Sequence, residues 1–486
     1  MSVPMTMADL DFSAIIEKFE LSEAFAPELE DEASRASDRF SEGRIDARNL
    51  ELVTIDPPGS KDLDQAVRIE QGTETGDDGF TLYYAIADVG AFVAPGSPLD
   101  AEAKRRGETI YLPSGNIPLY PRVLTEQTAS LVAGEDRPAV LWQIETDGTG
   151  LLTSARVRRA MVRVRARLDY PSLQARYDRA ESLPEPIKHL PEFGTMRQQR
   201  ARERGAIELH LPEQDLVRTP DGWQLRLEPR TQMDAWNSEC SLATGIAAAR
   251  IMFAGGAGLL RTLPAPSDAA KSQFRAAAKA LGVRIIDGFP PGEILARLDL
   301  ADPAALALNA AATKLLRGSG YLAFSSRPPQ PEAWHAGVAG TYAHATAPIR
   351  RLGDRFVSEI CLAFGGDWAR LDDETTHLSG NLPADIAEAL PELPGLLSRS
   401  GRIASDVENS CINLAEAVAL QDCIGQVYDA GLLRDGDEQH DSEIFVYEPP
   451  VIAQCRGEVP AGQKVQVRLA EVDVDQRKVR FAYPVG

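Results

Sequence analysis

Phe12, Ile15, Ile16 and Phe19 recur at helical spacing ahead of the acidic run ELEDEASRASDRF, so the first forty or so residues predict two or three short amphipathic helices. With so many acids and few bases, a packing or lid element is the better reading than a helix-turn-helix. Near Leu52 the texture changes to strand-like runs, LELVTID, DQAVRIE and FTLYYAIADVGAFV, with a turn expected in GTETGDDG. From about Pro171 helical patterns dominate, including MRQQRARERGAIEL and MDAWNSECSLATGIAAARIMF. In HATAPIRRLGDRFVSEICLAFG, Thr346 is placed to cap a helix and Pro348 to fit its first turn, with Ile349, Leu352, Phe356, Ile360 and Phe364 as the apolar stripe. The last seventy or so residues return to strands. Val465, Val467 and Leu469 alternate with Lys464, Gln466 and Arg468, and Val479, Phe481 and Tyr483 follow a turn at Asp475 to Arg477. Several short strands in one small unit predict a five-stranded barrel of the oligonucleotide-binding type.

Composition narrows the function classes. A chain of 486 residues has room for roughly three units with their own cores. The formal charge of -21 argues against indiscriminate nucleic-acid binding but not against a local basic channel. Cys240, Cys361, Cys411, Cys423 and Cys455 form no Cys-x-x-Cys pair, so buried thiols in a reducing cytosol are expected, with no disulfide-linked partner. The start MSVPMTMADLDF lacks the basic and apolar regions of a signal peptide. The apolar run from Leu242 to Leu260 carries Arg250 at its centre, which favours a buried helix with one polar edge over a membrane span. A cytoplasmic location and no membrane partner are the resulting expectations.

The stretch TIDPPGSKDLDQA crowds Asp56, Asp62 and Asp64 into one loop, although like charges destabilise one another unless a cation or a proton offsets them. Asp56 ends an apolar strand, and a tight turn through Pro57, Pro58 and Gly59 follows. Were the next segment extended, Asp62 and Asp64 would share a face. Three hard oxygen donors then converge, a set that suits magnesium or manganese and favours phosphoryl chemistry. An EF-hand is excluded, since Ala66 falls where the fifth-position oxygen belongs and the sixth-position glycine is absent.

TIDPPGSKDLDQA, YYAIADVGAFVAPGSPLDAEAKRRGETIYLPSGNIPLYP, GEDRPA and TYAHATAPIRRLGD, in that order, closely resemble the catalytic domain of the ribonuclease II (RNB) family from about Arg44 to about Ser405. The resemblance implies an α+β fold: an RNB catalytic domain of mixed sheet and packed helices at 44–410, a short helical region at 1–43, and an OB-type RNA-binding barrel at 411–486. It implies a processive hydrolytic 3'-to-5' exoribonuclease that releases nucleoside 5'-monophosphates from single-stranded RNA with Mg2+ or Mn2+. By the same resemblance Asp56, Asp62 and Asp64 match the metal-binding aspartates, Asp64 being the one on which cleavage most depends. The family pattern ends in Asp-x-Asp-Asp, and Gln65 stands at its last position. An amide oxygen still ligates a cation but brings no charge.

Arg350 matches the arginine that contacts the scissile phosphate region, a task suited to a two-pronged guanidinium. Tyr111 matches an aromatic that stacks on a base near the RNA 3' end, with Leu209 in the place of the opposing aromatic. Tyr170 and Glu239 match a tyrosine and an acid near the terminal ribose, whose 2'-hydroxyl distinguishes RNA from DNA. Arg156, Arg158, Arg163, Arg165 and Arg167 are spaced to line one strand surface, and Arg197, Arg200 and Arg204 fall near one helical face. Beside an RNA-hydrolase core these predict a phosphate-tracking channel and strong salt sensitivity. In the barrel, Phe445, Tyr447, Phe481 and Tyr483 are candidates for stacking or for core, with core the default. The residues before Arg44 leave no room for the cold-shock barrels common in the family. Two rivals remain: a catalytically impaired RNA-binding regulator of the same fold, because of Gln65, and a scaffold that uses the fold for protein contacts.

Overall fold

The structure, a computed structural model, describes residues 6–7, 10–72, 79–209, 213–219, 222–228, 230–286, 288–299, 302–326, 330–372, 376–434, 436, 441–448, 450–461 and 463–485. The turn expected in GTETGDDG falls largely at 73–78, outside the described residues. The architecture is α+β. Its centre is a mixed sheet in which Leu52–Asp56, Gln65–Gln71, Phe80–Ala87 and Asp136–Thr146 pair antiparallel in turn, except that Leu52–Asp56 also runs parallel to Leu152–Asp169. That last strand is 18 residues long. Its first part pairs with Asp136–Thr146 and its end with Leu52–Asp56, so the sheet turns back on itself.

The helix Gln232–Gly255 lies against this sheet. Thr231 and Asp234 form a reciprocal capping box at its start, and Gly256, with φ +81°, ends it. The apolar run beyond therefore leaves the helix and enters the strand Gly258–Thr262. No described helix is long and apolar enough to cross a membrane. Gly205, with φ +82°, likewise stops the helix Leu190–Arg204, so GAIEL is not helical as its pattern predicted. Among the described residues the N-terminal region holds two α-helices, Ser13–Lys18 and Pro27–Arg35, and a 3-10 turn at Ser41–Gly43. Phe12 and Ile15 pack with Trp223, Leu216 and residues of the helix Leu393–Leu420, which runs through residue 411, where the pattern places a domain boundary.

Val427–Arg434, Ser442–Tyr447, Pro450–Arg456, Lys478–Ala482 and Val465–Asp473 close into a five-stranded barrel in that spatial order. Phe481 is in the barrel core, whereas Phe445 belongs to a cluster with Phe274, Leu281 and Leu308 of the helical region. The same contact needs Gly431, where a Cβ would meet the Tyr447 hydroxyl at 2.5 Å and Leu281 at 2.9 Å. Phe445 is 4% exposed, and truncating a buried phenylalanine costs about 3–5 kcal/mol. Phe445→Ala is therefore expected to lower the melting temperature by several degrees in calorimetry. A wild-type melting curve would contradict this packing.

The described cysteines are free, and all but Cys423 are buried. The arginine stripe is not formed as expected. The ladder between Leu152–Asp169 and Asp136–Thr146 is in unbroken register from Ser154 to Arg163, so strand alternation puts Arg156 and Arg158 on one face and Arg163 on the other. Arg156 binds Gln143 and Arg163 pairs with Asp136. Arg197 is 1% exposed and lies in the interior, not along a channel.

Candidate active site

Asp56 closes the strand Leu52–Asp56 directly opposite Asp169, the residue before Tyr170. The strand Gln65–Gln71 begins only after Asp64, and residues 61–64 are a loop pinned from both sides. The Leu63 N–H donates to Ser130 Oγ at 3.0 Å, its carbonyl accepts from the Leu131 N–H at 3.0 Å, and the Asp64 carbonyl accepts from the Ala87 N–H at 2.9 Å. Leu63 and Asp64 are consequently both buried, while Asp62 is partly exposed. The shared face expected for Asp62 and Asp64 is not realised, because an extended alternation never forms there. Asp62 instead accepts a hydrogen bond of 3.2 Å from the Tyr111 hydroxyl.

Asp64 is 3% exposed. Its Oδ1 accepts from the Ile349 N–H at 2.8 Å, and its Oδ2, which has no hydrogen-bond partner among the described residues, lies 3.5 Å from Arg350 Nε. Asp56 Oδ2 is also buried without a partner. Burial pushes the Asp64 carboxyl up to about 8 and the Asp56 carboxyl up to about 6, and the Asp62 charge raises both while Arg350 lowers both. Four charges thus share one neighbourhood. Among the described residues no group of three or more His, Cys, Asp or Glu side chains stands ready to hold a metal ion, so the three aspartates do not converge as expected. The two orphaned oxygens of Asp56 and Asp64 do fit a hard divalent cation, which would satisfy both and remove the cost of burying them charged.

The segment bearing Arg350 is not the helical first turn that its pattern predicted. The helix starts at Leu352, and its stripe of Leu352, Phe356, Ile360 and Phe364 is buried as expected. Ahead of it, tertiary bonds claim the backbone. The Thr346 carbonyl accepts from Gln65 Nε2, the Ala347 N–H donates to Asp354 Oδ2 at 2.8 Å, and the Ile349 N–H donates to Asp64. The Thr109 N–H donates to the Arg350 carbonyl at 2.9 Å, which ties this turn to the strand Ile110–Leu112 that carries Tyr111. Close packing on the helix Gln232–Gly255 is allowed by Gly245, where a Cβ would fall 2.2 Å from the Tyr342 ring.

Tyr111 is 49% exposed and, with Arg350, lines a cavity of about 940 Å³ whose wall also carries Arg261, Arg351, Arg402 and His344. Glu108 and Glu408 line the same cavity and Arg351 is paired with Asp354 at 2.7 Å, so its wall is mixed in charge, and Arg261 and Arg402 are arginines the sequence pattern did not single out. Tyr170 starts the helix Tyr170–Asp178, and its hydroxyl takes a hydrogen bond of 2.8 Å from the Asn237 amide. Glu239 is buried, with Arg197 Nε 3.9 Å away, and burial pushes its carboxyl up to about 7. Leu209 packs against the helical cluster around Phe274 and Leu308, to which Tyr111 does not belong. Asp354 was in plain view in APIRRLGD, four residues after Arg350. Only the fold, however, brings its carboxylate to Ala347 and Arg351.

A family model for the RNB domain matches residues 44–364, and one for the RNase II-type exonuclease C-terminal S1 domain matches residues 426–483. Ribonuclease R of Escherichia coli (strain K12) is 29% identical over 492 residues, a match that takes in 90% of this chain and 57% of that protein. The chain therefore spans little more than half the length of this curated relative. Among solved structures, Mycoplasma genitalium RNase R in complex with ribose-methylated single-stranded RNA is similar with a TM-score of 0.81 and 18% identity, covering 97% of this chain and 77% of that one. Yeast Ssd1, a pseudonuclease, is similar with a TM-score of 0.60 and 16% identity, covering 89% and 52%.

Proposed function

The chain belongs to the RNB family, and from that premise we propose that it is a divalent-metal-dependent 3'-to-5' exoribonuclease that hydrolyses single-stranded RNA processively to nucleoside 5'-monophosphates. The observation that carries this reading is the pair of buried, partnerless carboxylate oxygens on Asp56 and Asp64 set beside Arg350 at the cavity it lines with Tyr111. A divalent cation, magnesium or manganese, held by Asp56 and Asp64 with Asp62 at hand, would supply Lewis-acid polarisation of the scissile phosphate and favour ionisation of the attacking water.

The chain's own groups do the rest. Asp64, fixed through the Ile349 N–H, keeps its free oxygen beside Arg350 and available to the cation. Arg350 neutralises charge that develops on the phosphoryl oxygens in the transition state. Tyr111 presents its ring to a base near the 3' end, while Tyr170, its hydroxyl oriented by Asn237, stands at the ribose. The C-terminal barrel, whose first strand is Val427–Arg434, supplies a further RNA-binding surface.

The direct test is labelled single-stranded RNA incubated with the protein and magnesium. Mononucleotide release supports the enzyme. Binding without release supports the impaired regulator, the second reading, which Gln65 favours because it places a neutral amide where the family pattern has a carboxylate. The absence of both release and binding supports a scaffold. Base stacking is worth about 1–3 kcal/mol, so Tyr111→Ala is expected to weaken the hold on short 3' ends roughly tenfold and to lengthen the limit product. Tyr111→Phe keeps the ring and both properties. Gel analysis of end products checks this, and unchanged product length in Tyr111→Ala would remove Tyr111 from the RNA path.

A further inference from the structure

Gln65 stands one residue after Asp64, and the two side chains hold opposite ends of one short turn. Gln65 Nε2 donates to the carbonyl of Thr346, and Asp64 Oδ1 accepts from the N–H of Ile349. Arg350 is the next residue, with its Nε 3.5 Å from Asp64 Oδ2. Thr346 is buried, so its carbonyl depends on that amide for a partner. The direction of the bond is fixed by its acceptor: a carbonyl oxygen receives only a donor, and no carboxylate offers one above its own pKa. An aspartate, the residue of the family pattern, has no donor for this bond and is one methylene shorter.

We propose that Gln65 is a positioning residue, clamping the Thr346–Ile349 turn so that Arg350 is held against Asp64, and that this, not replacement of a metal ligand, is why an amide occupies the position. The inference rests on reading the Arg350 cavity as the RNA site. It explains how one chain can give up a negative ligand at this place and still gain order: the end of the 61–64 loop with the first residue of the strand Gln65–Gln71, and the turn carrying Arg350, are stitched by two adjacent side chains.

The test uses the full chain and two variants of unchanged side-chain length, Gln65→Met, which removes the donor, and Gln65→Glu, which removes it and adds a charge. Binding of a labelled oligoadenylate is measured in EDTA, and Mn2+ binding is measured separately by calorimetry. Melting curves select folded samples. A clamp predicts that both variants weaken metal-free RNA binding by about tenfold, the cost of a buried carbonyl left without its donor. It also predicts that neither adds anything in an Arg350→Ala background, and that Mn2+ affinity stays within about twofold of wild type. A metal-ligand role predicts the opposite pattern, with RNA binding in EDTA unchanged and Mn2+ binding weakened in Gln65→Met but tightened in Gln65→Glu. That pattern, or losses additive with Arg350→Ala, overturns the proposal. If the wild-type chain itself fails to bind the oligonucleotide, it is the exoribonuclease reading that falls.

Discussion

Asp64→Asn is expected to lose RNA hydrolysis by roughly 10³-fold while the protein stays folded and, without metal, becomes more stable at alkaline pH. The first half follows from the orphaned Oδ2, the only Asp64 oxygen available to the reaction, since Oδ1 is bound to the Ile349 N–H. The second half follows from the direction of its proton equilibrium. Burial pushes the Asp64 carboxyl up to about 8 from an ordinary 3.8. Between those values the native state keeps a proton that the unfolded chain has released, so the unfolded state binds fewer protons and stability falls as pH rises, by up to about 1.4 kcal/mol per pH unit. Asp56, pushed up to about 6, contributes in the same sense at the acid end of that window. Glu239 and Glu416, both pushed up to about 7 by burial, contribute in the same sense below that value, so the slope between about pH 7 and pH 8 is the part that belongs to Asp64 and should flatten in Asp64→Asn. Added magnesium should flatten it in the wild type, because a cation that binds only the ionised native site opposes the loss. Melting temperatures from pH 5 to 8.5, in EDTA and in magnesium, read this out. A variant that cleaves within tenfold of wild type, or a wild type with no such slope, would remove Asp64 from the centre of the site.

Much of this was legible in the sequence, and where it was not, the reason is long-range. The strands Leu52–Asp56, Gln65–Gln71 and Phe80–Ala87 and the barrel strands read directly as apolar alternation, because each buries one face or both. The helix Leu352–Phe364 showed in its stripe, but its start did not. Thr346 and Pro348 are good first-turn residues, yet the backbone from Thr346 to Ile349 is claimed by Gln65, Asp354 and Asp64, two of them nearly three hundred residues away in sequence. No local propensity encodes that. The aspartate loop shows the same limit: the spacing of Asp62 and Asp64 implies one face only if the segment is extended, and Ser130 and Leu131 hold it otherwise. The arginines failed for a different reason. Arg156, Arg158 and Arg163 look like a stripe when counted along the chain, but an odd interval from 158 to 163 in an unbroken ladder changes face. The arginines that do meet at the cavity, Arg261, Arg350, Arg351 and Arg402, come from separate stretches and carry no local signature beyond APIRR.

Arg350→Ala is the second large effect, with kcat expected to fall about 10²–10³-fold and RNA affinity only roughly tenfold. The asymmetry has a physical source. The phosphate is already anionic in the bound substrate, so part of the guanidinium's attraction is present before reaction. The larger part appears as charge builds on the phosphoryl oxygens beside a donor that is already in place. Pre-placement is visible in the structure: the Arg350 carbonyl is pinned by the Thr109 N–H, and its side chain, 44% exposed, projects into the cavity. Because the pinning is through backbone, alanine should fold normally and melt within a degree or two of wild type. Arg350→Lys restores charge but not the fork, and should recover most of the RNA affinity with little of the kcat. Arg350 also holds the Asp64 carboxyl lower than burial alone would. Its removal should therefore move the acid limb of the pH–rate profile at limiting metal toward higher pH, and lysine should move it part of the way back. Single-turnover rates from pH 5.5 to 9, with RNA affinity measured alongside, separate these terms. If alanine lowered affinity and kcat/KM by the same factor and left kcat and the acid limb in place, Arg350 would be a binding residue and the transition-state role would be lost.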